Sequence, residues 1–213
     1  MKRIFSLILV CLLAVPSSMM AAQDAPISAW HSWFTSLRRP TRQAQQLIAA
    51  AAEGHVNTVN ELLAVPGIDV NLQDHLGYTA LIYAAGRGYE NVVKELLDAP
   101  GIDVNARDQS GSTALIYAAV EGHVNTVKEL LDALGIDVNA QDVYDMTALM
   151  KAAERGHENV VAQLLAVRGI DVNLQNDYGR TALDIARKEN KPAIIKLLEG
   201  GPTGSMIKSA NKR

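Results

Sequence analysis

Apolar residues recur along this chain in a fixed rhythm. After Tyr89, the residues Val92, Val93, Leu96 and Leu97 fall at helical spacing and predict one buried face of a helix. Just before it, Leu81, Ile82, Ala84 and Ala85 predict a shorter helix whose small residues allow close approach. Turn chemistry precedes that helix, from Asp74 to Tyr78 with a glycine at Gly77. Thr79 is placed as its N-cap, with a hydroxyl that accepts from an orphan backbone N–H. Gly88 suits the left-handed residue after the first helix, and Pro100-Gly101 stops the second. An extended stretch then leads into the next turn.

The whole pattern repeats. Thr-Ala-Leu begins at Thr79, Thr113, Thr147 and Thr181, always 34 residues apart. Gly-Ile-Asp-Val-Asn begins at Gly67, Gly101, Gly135 and Gly169, with the same spacing. A third series starts at Gly54, Gly88, Gly122 and Gly156 and runs Gly-His-Val-Asn-Thr-Val or a close variant. Three motifs in one register mark an internal repeat. A unit of two short helices has too little surface to bury its own apolar face, so neighbours must stack and share a continuous core.

On Asp-x-x-Gly-x-Thr-x-Leu, Ala-Ala-x-x-Gly-His and Leu-Leu…Asp-Val-Asn, the chain resembles the ankyrin repeat family over about residues 42–199. The resemblance implies an all-α fold, an ankyrin-type helical repeat solenoid with short β-hairpin loops and about five repeats of 34 residues. The units fall at 42–73, an N-terminal cap without a preceding hairpin, then 74–107, 108–141 and 142–175, and at 176–199, a C-terminal cap. The last unit turns polar on its first helix at Asp184, Arg187 and Lys188, as an end facing water needs. The family's Thr-Pro-Leu-His is here Thr-Ala-Leu followed by Ile82, Ile116, Met150 or Asp184, so the helix-starting proline and the tying histidine are absent. Asp145 stands where the other hairpins have glycine, which predicts a turn of different shape.

The two ends carry different signals. Lys2 and Arg3 followed by an apolar run from Ile4 to Val15 read as an export signal over 1–22, with cleavage near Ala22 and a periplasmic or secreted destination. An uncleaved membrane anchor is the alternative. Trp30, Trp33, Phe34 and Leu37 lie on one face of an amphipathic helix within 23–41 that ends at Pro40. That face either covers the open end of the stack or touches a membrane surface or partner, with Arg38, Arg39 and Arg42 alongside. The segment 200–213 reads as a disordered tail.

Composition narrows the chemistry. The chain is 48% hydrophobic but 5% aromatic, so its interior is aliphatic. Cys11 lies inside the apolar leader, so a cleaved chain has no thiol for a disulfide, metal or nucleophile. Cleavage moves the formal charge from -3 to -5, which argues against nucleic acid. His157-Glu158 opens like a zinc-protease helix, but Val161 stands where the second histidine is needed. His55, His123 and His157 share the Gly-His position of the repeat, where the resemblance implies bonding to nearby backbone. Asp69, Asp103, Asp137 and Asp171, with Asn71, Asn105, Asn139 and Asn173, read as loop-holding groups rather than calcium ligands. No catalytic residue, metal site or cofactor is expected.

The resemblance implies a protein partner, held along a concave groove of hairpin tips and first helices. The variable positions there are His75, Leu76 and Tyr78, then Gln109, Ser110 and Ser112, then Val143, Tyr144 and Met146, and then Asp177, Tyr178 and Arg180. Tyr83 and Tyr117, one repeat apart, extend that patch. The tyrosines either grip a partner or pack against the neighbouring hairpin. The function expected is a monomeric, exported, non-catalytic binding module. A secreted effector that engages a host protein and a membrane-apposed scaffold are the alternatives.

Overall fold

The computed structural model describes residues 42–200. The expected export signal, the amphipathic segment with Trp30, Trp33, Phe34 and Leu37, and residues 201–213 of the tail lie outside the described residues. Gly200, expected to open the tail, instead closes the last helix.

The described residues contain ten helices in five pairs. They are α1 (42–53) and α2 (Val56–Leu63); α3 (Ala80–Gly86) and α4 (Glu90–Leu97); α5 (Ala114–Glu121) and α6 (Val124–Leu131); α7 (Ala148–Arg155) and α8 (Glu158–Ala166); α9 (Ala182–Lys188) and α10 (Pro192–Gly200). The threonines start the first helices as their position predicts. The hydroxyls of Thr79, Thr113 and Thr147 accept from the amides of Ile82, Ile116 and Met150. Thr181 accepts from the Asp184 amide, and the Asp184 carboxylate accepts from Thr181 in return. This reciprocal cap explains the polar residue that the last unit carries at that position. In the other units the same place holds Ile82, Ile116 and Met150, each buried to 2% exposure or less.

The helices form two rows. The first helices pack in sequence, α3 on α5, α5 on α7 and α7 on α9. The second helices run alongside from α2 through α4, α6 and α8 to α10. One hydrophobic core runs from Leu47 in α1 to Leu198 in α10. The alanines of the first helices, such as Ala84, Ala118 and Ala152, are fully buried and let the rows approach closely. Truncating a fully buried leucine such as Leu115 or Leu149 costs about 2–5 kcal/mol.

The connecting hairpins form without the expected β-ladder. Among the described residues there is no strand, and one isolated bridge joins Gln141 to Thr147. Side chains take the place of a ladder. The Asp74 Oδ1 accepts the amides of Leu76 and Tyr78, while the Asp74 amide donates to the Tyr78 carbonyl. Asp108, Asp142 and Asn176 do the same for the following turns. An Asx turn satisfies the polar groups that would otherwise need a partner strand.

Asp145 corrects a second expectation. Its φ is 55°, in the left-handed region occupied by Gly77, Gly111 and Gly179. Its amide donates to the Asp142 carbonyl at 3.0 Å, as the Gly77 amide does to Asp74 at 3.0 Å. The turn therefore keeps the shape of its neighbours, because aspartate tolerates this conformation better than most residues.

Candidate partner-binding face

The hairpin tips are fixed in a row by one backbone bond at each junction. The Gln109 amide donates to the Leu76 carbonyl at 3.2 Å, Val143 to Ser110 at 2.9 Å and Asp177 to Tyr144 at 3.2 Å. The tip side chains of successive units thus line up at one repeat's spacing.

The first half of that row is occupied with itself. Tyr83 Oη donates to Asp74 Oδ2 at 2.7 Å, and Tyr117 Oη donates to Asp108 Oδ2 at 2.7 Å. Tyr78 Oη lies 2.7 Å from Tyr117 Oη. Since Tyr117 gives its proton to Asp108, Tyr78 donates to Tyr117. The Tyr78 ring centroid lies 5.0 Å from Tyr83 and 5.5 Å from Tyr117. The Asp74 carboxylate, and then burial, raise the pKa of Tyr83. Burial, followed by Tyr78 and Asp108, raises that of Tyr117. These three tyrosines are half-buried, Tyr78 and Tyr117 bracing one unit against the next and Tyr83 bracing its own turn, and their polar tips are already bonded.

Other expected contact positions also have partners within the array, although Gln109 remains exposed. Ser112 is buried, its amide donating to Asp108 Oδ1 at 2.8 Å. Met146 is buried, its Sδ accepting from Asn176 Nδ2 at 3.2 Å. Gln109 Nε2 donates to the His75 carbonyl at 2.8 Å, and Ser110 Oγ donates to Asp108 Oδ1 at 2.7 Å.

The second half of the row is open. Tyr144 is 59% exposed, Tyr178 76% and Val143 57%, with Leu76 at 44% on the first tip. Asp177 and His75 are exposed as well. The Arg180 guanidinium lies 5.6 Å from the centre of the Tyr178 ring. A hollow of about 270 Å³ lies between these groups, lined by Tyr144, Met146, Lys151, Glu154, Tyr178 and Arg180. Lys151 and Glu154, on the outer side of α7, extend the face beyond the residues the sequence singled out. Lys151 Nζ lies 3.1 Å from Asp142 Oδ2.

Two of the three repeat histidines serve the scaffold, whereas the His55 side chain of the first unit is 60% exposed, with its Nδ1 3.3 Å from Glu53 Oε2, and bonds no carbonyl among the described residues. His123 Nε2 bonds the Gly86 carbonyl at 3.1 Å, and His157 Nε2 bonds that of Val120 at 2.9 Å. Each ring also covers the glycine of the preceding unit: a Cβ at Gly122 would lie 2.5 Å from His157 Nδ1. Tyr89 covers Gly54 in the same way. Among the described residues no group of three or more His, Cys, Asp or Glu side chains is placed to hold a metal. No described helix is long and apolar enough to cross a membrane.

A family model described as ankyrin repeats (3 copies) matches residues 47–142 and 136–203. The chain belongs to the ankyrin repeat family. Ankyrin repeats are generally protein–protein interaction modules and typically carry no catalysis. The stacked helix pairs, Asx-closed tips and glycine-covering histidines are how this ankyrin chain builds its array. No curated protein matches the chain.

Proposed function

We propose that this ankyrin chain is a monomeric, non-catalytic binding module, exported from the cytoplasm, that holds a protein partner along its hairpin tips and first helices. The reading rests on one observation above all: Tyr144 and Tyr178 stand exposed on adjacent tips, while Tyr78, Tyr83 and Tyr117 are tied to one another and to Asp74 and Asp108. Tyrosine offers large contact area with little rotamer entropy and a polar tip, which suits it to interface hot spots. The contact surface is therefore centred on Val143, Tyr144, Asp177, Tyr178 and Arg180, with His75 and Leu76 at its far end.

Capture of partners from the native compartment tests it. Tyr144→Ala with Tyr178→Ala removes exposed rings and leaves the fold intact, so the circular dichroism spectrum is retained and the partner is lost. Unchanged capture by that variant overturns the reading. Export is tested separately by the size of the secreted chain, which is expected to lack residues 1–22.

A further inference from the structure

We propose that the tips of the last two hairpins take an extended, arginine-bearing segment of the partner protein, with guanidinium groups lying on the Tyr144 and Tyr178 rings and paired with the Asp145 and Asp177 carboxylates. This rests on the reading of the hairpin face as the partner site and names the chemistry that site selects.

Shape and charge meet at these tips. Both rings are more than half exposed. Arg180 already lies over Tyr178 at 5.6 Å, so a guanidinium is sterically at home on this surface. The charges around the rings are unbalanced. Lys151 is paired with Asp142 and Lys188 with Glu189. Among the described residues, Asp145, Asp177 and Glu154 have no cation within salt-bridge distance, against Arg180 as the one cation lining the hollow without a carboxylate. The surplus is negative, as is the formal charge of the chain, -3. Partial loss of hydration, then the neighbouring Asp145 and Asp142 carboxylates, raise the pKa of Asp177. A cation set between Asp145 and Asp177 relieves that crowding. Arginine fits better than lysine, because its planar fork stacks on an aromatic face and pairs with carboxylates in two-point fashion.

The test uses the full chain and two labelled extended peptides of one apolar sequence, one carrying arginines and the other glutamates at the same positions. Fluorescence anisotropy is expected to show binding of the arginine peptide that weakens with added salt, and none of the glutamate peptide. Asp145→Gly with Asp177→Asn is expected to weaken binding about tenfold, as loss of two exposed charge pairs implies. Asp145→Gly restores the residue of the sister turns, so this variant is expected to fold, and circular dichroism checks it. Failure of the arginine peptide to bind, equal binding of the glutamate peptide, or unchanged affinity in the double variant overturns the inference. So does binding that emerges only after Lys208→Glu, Lys212→Glu and Arg213→Glu, because the chain's own basic end is then the occupant. A dimer in sedimentation that the double variant dissolves overturns it too, since a second copy then fills the site. If Tyr144→Ala with Tyr178→Ala abolishes partner capture while the aspartate variant does not, the face stands as the partner site and the arginine inference falls.

Discussion

Asn105 holds Gly135 across a unit boundary. Its Nδ2 donates to the Gly135 carbonyl at 2.8 Å, and its Oδ1 accepts the Asp137 amide at 2.8 Å. Asn71 does the same to Gly101 and Asp103, and Asn139 to Gly169 and Asp171. The three carboxamides form a ladder along the loop edge, each meeting both a donor and an acceptor of the next unit. The aspartates are the local half of the device, since each accepts the amide of its own asparagine.

The ladder is partly exposed, so each rung is worth about 1 kcal/mol. Asn105→Ala is expected to destabilise the array by that amount in urea denaturation. Asn173→Ala is expected to cost less, because among the described residues its side chain meets no following loop, only its own amide bonding Asp171. Equal losses at the two positions would show that the asparagine acts within its own loop and not across the boundary.

Glycines of the same conformation separate strain from crowding. Gly122 and Gly169 have φ of 76° and 92°. A Cβ at Gly122 would meet His157 Nδ1 at 2.5 Å, while one at Gly169 meets nothing within 4 Å. Gly169→Ala is expected to cost about 1–2 kcal/mol, the penalty of a left-handed alanine. Gly122→Ala carries that penalty plus displacement of the histidine and its bond to Val120, so its midpoint in thermal unfolding is expected to fall clearly further. A matching pair of midpoints would mean that the ring moves aside without cost.

These pairs also explain what the sequence let through. The Thr79, Thr113, Thr147 and Thr181 caps depend on groups three residues away, so the local pattern was enough to place them. The two-row stack followed from the period, because identical units bury identical faces. The division of the tyrosines did not. Whether Tyr78 faces a partner or Tyr117 is decided by a residue 39 positions away on the next unit's helix, and no local spacing encodes it. Met146 looked like a variable tip residue, but the Asn176 amide of the next turn covers it. Asp145 looked like a changed turn, yet its backbone follows the glycine pattern because the Asp142 side chain fixes the turn and aspartate tolerates the left-handed conformation that this requires. The Gly-His register was visible, but that the ring belongs to the glycine of the unit before needed the stacking itself.

The Tyr83–Asp74 bond gives the array a pH signature. Burial raises the proton affinity of Asp74, but hydrogen bonds from the Tyr83 hydroxyl and from the amides of Leu76 and Tyr78 outweigh it, and its pKa lies below the ordinary 3.8. A carboxyl depressed on folding stabilises the fold above its unfolded pKa. That contribution disappears as pH falls through the lower folded value. Tyr83→Phe removes one of the bonds that depress it, so the Asp74 pKa is expected to rise in a carboxyl NMR titration. Stability is expected to drop by about 1 kcal/mol at neutral pH. The gap between the two proteins should then narrow in acid, once Asp74 is protonated in both. A gap of constant size from neutral pH into acid would mean that the tyrosine stabilises the turn by packing alone, with the carboxylate playing no part.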